Sequence, residues 1–327
     1  MRKIPSWMPQ ALGYCVSVGC LAWLLHGYPI KQELIPAIKD LNWMWVLLAV
    51  LADLAVYVAH GWRWRTLLGP VIRLRLWRTV QAVYIWLFAN EVLPLRTGEL
   101  IRCYLLAHWN DLRVSLSFAS AAVERLIDGF LMVTAFLITL SFVKGVPPDL
   151  VLLVKALAAM LVLGAVLLVW IVLRKHEAHA VLRESRWSAT LRHVIEGLHL
   201  MGNPRTLGTT TGVSVLYLLL QVFSVYALMK AYEMDLSFWA AFGILTIIRL
   251  GTVVPNAPGN MGLVNVVCVM ALTRFDVETN VAKTFSIIYF GAITLPLLLG
   301  GAVAVALTGV NIGELRDRAR ESARDRH

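Results

Sequence analysis

Apolar runs of membrane-spanning length, two apolar regions interrupted by Pro and Gly, and an alternating placement of basic residues together predict an all-α polytopic membrane protein. Two inverted-topology repeats are expected, each with three transmembrane helices and one re-entrant helical hairpin, with N- and C-termini cytoplasmic. Hydrophobic residues make up 59% of the 327 and mean hydropathy is +0.70, so a soluble core is improbable and several runs reach the roughly 20 residues needed to cross a hydrocarbon core.

Taken in order, the first span is Ala11 to Gly27, behind Arg2 and Lys3. No small-residue cleavage site follows it, so a retained helix is expected rather than a signal peptide. The other full spans are Trp43 to Gly61, Phe118 to Val143, Leu150 to Leu173, Leu207 to Met229 and Ala282 to Leu307. Between them, Val80 to Leu106 is broken by Pro94 and Gly98, and Phe238 to Leu272 by Pro255, Pro258, Gly259 and Gly262. The arms that remain are about 14 residues each, short for a crossing and suited to hairpins that return to the side they entered from.

Charge orients the chain. Arg2 and Lys3, the cluster Arg63, Arg65, Arg73, Arg75 and Arg78, the connection from Arg174 to Arg205 and the tail from Arg316 to Arg326 are expected in the cytoplasm. The connections around Lys31 to Asp40, Lys144 to Asp149, Ala231 to Ser237 and Phe275 to Asn280 are expected outside. Two full crossings per hairpin would give the same loop sides. The organisation follows: residues 1–143 as the first repeat with its hairpin at 80–106, residues 144–315 as the second with its hairpin at 238–272, and 316–327 as a basic tail. Residues 174–205 read as an amphipathic helix on an anionic lipid surface. Trp43, Trp62, Trp64 and Trp77 read as interfacial anchors.

Composition also excludes. The formal charge of +10 is a topology signal rather than a nucleic-acid footprint, because the basic residues lie between apolar runs. Cys15, Cys20, Cys103 and Cys268 have no metal or disulfide spacing. There is no G-x-x-x-x-G-K-[ST], H-E-x-x-H, D-x-D or G-x-S-x-G, so no ATP motor, cofactor or metal is expected.

Charge at membrane depth marks the candidate site. In the first hairpin, Pro94 ends one arm and Thr97 can cap the next. That helix start, with Arg96, would attract an anion. Glu99 and Arg102 share a face at i, i+3 and can pair when the site is empty, leaving Arg102 to take a lipid phosphate when it is filled. Asn90 and Glu91 belong to the tip or wall, and Asn90, Pro94 and Gly98 are counted with Arg96, Glu99 and Arg102 as substrate-binding. In the second hairpin, Arg249 precedes a tip whose Pro258, Gly259 and Gly262 allow close backbone approach. Glu124, Arg125 and Asp128 are read either as a lock between hairpin and span or as coupling groups, and Asp53 with Tyr57 and His60 as a further polar face.

Leu93-Pro94 through Arg96, Gly98, Glu99 and Arg102, then Glu124 and Asp128, then Pro255, Pro258-Gly259 and Gly262, resemble the flippase-like domain of bacterial lysylphosphatidylglycerol synthases. The resemblance spans nearly the whole chain and implies a lipid translocase, here a stand-alone member without the aminoacyl-transfer domain. The chain departs from the family's Pro-Gly-Gly-x-Gly-x-x-Glu pattern: Asn260 stands where a second Gly is common and Asn265 where Glu is common. The expected function is a flippase, in a bacterial inner membrane, for a phospholipid or polyprenyl-phosphate-linked lipid with an anionic head group. The alternatives are a membrane-embedded lipid-modifying enzyme, with Glu99 or Asp128 as general base, and a non-transporting partner of a lipid-synthesis enzyme.

Overall fold

The computed structural model describes residues 8–92, 98–140, 152, 155–156, 158–166, 199, 201–252 and 258–310. Among these the secondary structure is helical, without strands. The helices are α1 (Met8–Leu25), α2 (Ile30–Asp40), α3 (Trp43–Leu68), α4 (Leu76–Val92), α5 (Gly98–Trp109), α6 (Val114–Leu140), α7 (Pro204–Ala231), α8 (Phe238–Gly251), α9 (Leu263–Thr273) and α10 (Thr279–Thr308), with a 3₁₀ turn at Pro258–Asn260 ahead of α9. Residues 158–166 are also helical and pack on α6, where Gly129 faces Leu161 and Gly164 faces Leu126.

Local chemistry sets the ends. Asn42 accepts from the Met44 amide at 3.2 Å to start α3. Asn203 accepts from Arg205 at 3.0 Å ahead of Pro204 to start α7, and Ser237 accepts from Ala240 at 3.2 Å to start α8. Each satisfies an amide that has no partner within its helix. α10 stops at Gly309, whose φ of 63° only a residue tolerant of the left-handed region supplies easily.

By length and composition α3, α7 and α10 are able to cross a membrane. On α10 the stripe Leu295, Leu299, Val303 and Leu307 is exposed, as expected of a lipid-facing side. α6 is as long, but Glu124, Arg125 and Asp128 sit inside it. Of the expected fourth span, residues 152, 155–156 and 158–166 are described and helical. The linker at 174–198, the tail and the first seven residues lie outside the described residues.

Two expectations are corrected. Lys31 to Asp40, read as a simple connection, forms α2, with Ile30, Ile35 and Ile38 exposed beside Lys31, Glu33 and Lys39, the pattern of a helix lying along a membrane interface. α3 also runs two turns past Gly61, which carries Arg63 and Trp64 out of the expected loop and into the interior, both fully buried. Trp64 is therefore no interfacial anchor, whereas Trp43, Trp62 and Trp77 are exposed.

The most extensive packing is between α3 and α7, from the two halves of the chain. Around this pair the contacts recur in matched sets. α3 packs on α4 as α7 does on α8; α4 on α5 as α8 on α9; α5 on α6 as α9 on α10; and α4 on α10 as α8 on α6. Small residues set the close approaches. A β-carbon on Gly61 would meet Val80 of α4 at 2.7 Å, one on Gly251 would meet Val267 of α9 at 2.6 Å, and one on Gly301 would meet Phe88 of α4 at 2.5 Å.

Candidate functional site

Two helices present polar stripes to each other. α3 carries Asp53, Tyr57, His60 and Trp64, and α7 carries Ser214, Tyr217, Gln221 and Ser224; both sets recur at helical spacing, which keeps them on one face. Ser224 Oγ donates to the Ala49 carbonyl at 3.0 Å, tying the stripes together at one end. Further along, Arg63 donates to Glu124 and Asp128 of α6 and, at 3.4 Å, to Ser214.

That pair belongs to a larger ion network joining α3, α5 and α6. Glu124, fully buried, receives Arg63, lies 2.9 Å from Arg102 Nη2 and 3.0 Å from His60 Nε2. Arg102, also fully buried, has its guanidinium between the rings of Trp64 and Trp86, 4.5 Å from each centroid, and pairs with Glu99 at 3.2 Å. Glu99 in turn takes Arg125 at 2.6 Å, and Arg125 reaches Asp128 at 3.7 Å. Arg63, Arg102 and Arg125 thus meet Glu99, Glu124 and Asp128, three charges of each sign, which is the condition for burying ions at acceptable cost. Trp64 is fixed in turn by its indole N–H donating to Ser120 at 3.0 Å.

Beside the network lies a central cavity of about 260 Å³ walled by residues of α3, α4, α7, α8, α9, α10 and the 3₁₀ turn. Asp53, Tyr57, His60, Glu91, Tyr217, Gln221, Arg249, Asn260 and Tyr289 give it a polar lining. Tyr57 donates to Asp53 at 2.8 Å. Arg249 Nη2 donates to Tyr217 Oη at 3.1 Å and to Gln221, so its hydrogen-bond partners among the described residues are neutral. The Tyr217 ring stands between two guanidinia, 5.1 Å from Arg63 and 5.5 Å from Arg249.

A second cavity, of about 680 Å³, lies on the α5 and α6 side, lined by Asn90, Glu91, Glu99, Cys103, Arg125, Gly259 and Asn260 among others. Trp86, Leu87, Glu91, Gly259 and Asn260 border both cavities. The Trp86 indole N–H is buried with no hydrogen-bond partner among the described residues.

The expected site residues fall as follows. Glu99, Gly98 and Arg102 are together at the start of α5, whose first amide, that of Gly98, donates to the Asn90 side chain of α4 at 3.0 Å. A β-carbon on Gly98 would sit 2.4 Å from the Trp86 carbonyl. Arg96 and Pro94 lie outside the described residues, as does Pro255. Arg102 lines neither cavity; Arg249 lines the central one, and Arg125 the second with its side chain half exposed. Gly259 meets Glu91, and Gly262 meets Ser17 and Cys20 of α1; their φ values are 73° and 82°. Pro258 opens the 3₁₀ turn. Asn260, in place of the family's glycine, keeps the left-handed conformation at φ 53°, which Asn tolerates better than most residues. Asn265, in place of the glutamate, is buried and donates to the Ser286 carbonyl of α10 at 2.9 Å.

Arg63, Trp64, Trp86, Tyr217 and Gln221 were not singled out as site residues from the sequence. The signal for the α7 pair was present as the polar stripe from Ser214 to Ser224 in an otherwise apolar span.

Apolar helices of spanning length, a charge-bearing interior and exposed leucine stripes define an integral membrane protein. Residues 10–301 match the lysylphosphatidylglycerol synthase TM region, and the chain belongs to that family. It is also 24% identical, over 283 residues covering 79% of this chain and 81% of the relative, to a UPF0104 membrane protein of the archaeon Methanothermobacter thermautotrophicus. No solved structure matches it.

Proposed function

We propose that the protein is a lipid flippase rather than a chemical catalyst. It moves a lipid with an anionic, phosphate-bearing head group, phospholipid or polyprenyl-phosphate-linked, across a bacterial inner membrane while the tails stay in the bilayer. The observation that carries this reading is Arg249, a guanidinium that lines a central cavity and whose hydrogen-bond partners among the described residues are neutral. A cation so placed is matched by a phosphate.

The path around it supports alternating access. The matched packing of α3 to α6 and of α7 to α10 is what two inverted repeats would produce. α5 and α9 have 12 and 11 residues, about 17 Å of helix against a core of about 30 Å, which suits re-entrant arms. The two interrupted regions meet where α4 packs on the 3₁₀ turn, between the two cavities. A cavity of about 260 Å³ takes a head group and not its tails. Glu99 is engaged by Arg102 and Arg125, and Asp128 by Arg63. Carboxylates held in this way are poor general bases, which weighs against the enzyme reading.

The test is redistribution of short-chain fluorescent phosphatidylglycerol in proteoliposomes, read by dithionite quenching, with labelled phosphatidylcholine for comparison and mass spectrometry of the recovered lipid. Faster movement of the anionic probe at unchanged mass, lost at least tenfold in Arg249→Gln, is expected. Equal movement of both probes, or a changed lipid mass, would overturn the proposal.

A further inference from the structure

His60 is the one member of the ion network described above that also lines the central cavity; Glu99 and Arg125, at the network's other end, line the second. The network therefore runs from one cavity to the other, and His60 is its contact with the central one. Its Nε2 faces two groups at once: Arg102 Nη1 at 2.9 Å and Glu124 Oε1 at 3.0 Å. These demand opposite things of a single nitrogen. A guanidinium can only donate and an ionised carboxylate can only accept. With a bare Nε2 the ring accepts from Arg102; with a proton there it donates to Glu124 and has nothing to offer Arg102.

We propose that His60 is a proton-binding site that unlocks the first hairpin, an inference that rests on the flippase reading for what the unlocking serves. A proton arriving from the central cavity adds a bond to Glu124 of α6 and takes an acceptor from Arg102 of α5. It also places a third positive charge beside Arg102 and beside Arg63 of its own helix. The remaining groups facing the ring are Tyr217 of α7, with centroids 5.5 Å apart, and Trp86 of α4, at 5.0 Å; neither carries charge to offset it. Burial of the ring and the two guanidinia oppose the proton, and Glu124 favours it. The step is a proton transfer from hydronium in the cavity to the bare Nε2: one O–H bond breaks, one N–H bond forms and a water is left behind. Its mechanical consequence falls on α5, the one helix that the network holds through Arg102 and Glu99 alone. Arg102 keeps Glu124 at 2.9 Å and Glu99 keeps Arg125, so α5 is loosened from α3 at His60 while its ion pairs to α6 remain.

Cys103, the residue after Arg102, reports this directly. It is buried, lines the second cavity and is engaged through Sγ with the Ser117 carbonyl of α6. The experiment measures its reaction with 4,4′-dithiodipyridine in the full-length protein in nanodiscs from pH 8 to pH 4.5, by peptide mass spectrometry, for wild type and His60→Gln. The glutamine amide can accept from Arg102 and donate to Glu124 without titrating. Comparison at each pH removes the thiol's own ionisation. Expected is a wild-type to variant rate ratio near one at pH 8 that rises at least fivefold as pH falls. A ratio that stays flat across the range would overturn the proposal. His60→Asn makes the same comparison if His60→Gln does not fold. The measurement needs no cargo, so pH-dependent labelling together with failed lipid movement would overturn the flippase reading alone.

Discussion

Glu91 at the end of α4 and Gly259 in the 3₁₀ turn touch across the two halves of the chain. A β-carbon on Gly259 would lie 2.6 Å from Glu91 Oε2, and Gly259 itself holds φ 73°. Both residues border both cavities, so this contact forms part of the partition between them.

Gly259→Ala meets two obstacles at that partition, the left-handed backbone and the Glu91 oxygen. The backbone part costs about 1 kcal/mol or more. Lipid movement in Gly259→Ala is expected to fall at least tenfold. Glu91→Ala combined with Gly259→Ala should recover part of that loss by removing the collision. No recovery in the double variant would assign the whole effect to the backbone.

Arg63→Met leaves Glu124 and Asp128 without their shared cation and should destabilise the protein by about 3–5 kcal/mol. Glu124→Gln should do the same from the other side. Because the residues share one network, the double variant is expected to cost clearly less than the sum. Unfolding in detergent, followed by near-ultraviolet circular dichroism, measures all three.

Tyr217→Phe keeps the ring between Arg63 and Arg249 and removes the hydroxyl that Arg249 uses. Weaker binding of the anionic probe is expected, by about twofold to tenfold, because the hydroxyl positions Arg249 and one net hydrogen bond is worth about 0.5–1.5 kcal/mol. Thermal stability should change little. A full loss equal to that of Arg249→Gln would mean that the hydroxyl contacts the cargo itself.

Asn265→Glu would place a carboxylate where the sequence resemblance implies one. Here it would bring an acceptor against the Ser286 carbonyl in a buried site where an amide now donates. Loss of folded protein by size-exclusion chromatography is the expected result, whereas Asn265→Asp with Ser286→Ala should fare no better, because the backbone carbonyl remains.

Asn90→Ala removes the side chain that accepts from the first amide of α5 and should cost about 1 kcal/mol. Gly98→Ala should cost more, because its β-carbon would meet backbone, the Trp86 carbonyl, as well as the Asn90 side chain.

Much of the fold was legible from hydropathy and charge: the long α3, α7 and α10, and the interruptions that separate α4 from α5 and α8 from α9. The pairs Glu99–Arg102 and Arg125–Asp128 followed from helical spacing, whereas Glu99–Arg125, which joins them across 26 residues, did not. Arg63 was misplaced for a physical reason: a basic residue just past an apolar run looks like a loop charge, and only the distant Glu124 and Asp128 make its burial tolerable. Trp64 followed it inward by the same extension of α3. Asn90 was placed in the tip, but its capping of Gly98 depends on how α4 and α5 lie side by side, which spacing alone does not give.

The network's balance has an electrical consequence. Arg63, Arg102 and Arg125 against Glu99, Glu124 and Asp128 sum to zero, so a membrane potential exerts no net force on the assembly as it moves. One elementary charge carried across a full potential gains or loses about 2.3 kcal/mol per 100 mV. Whatever voltage dependence the protein shows will therefore report the head group, Arg249 and any proton at His60 rather than this network.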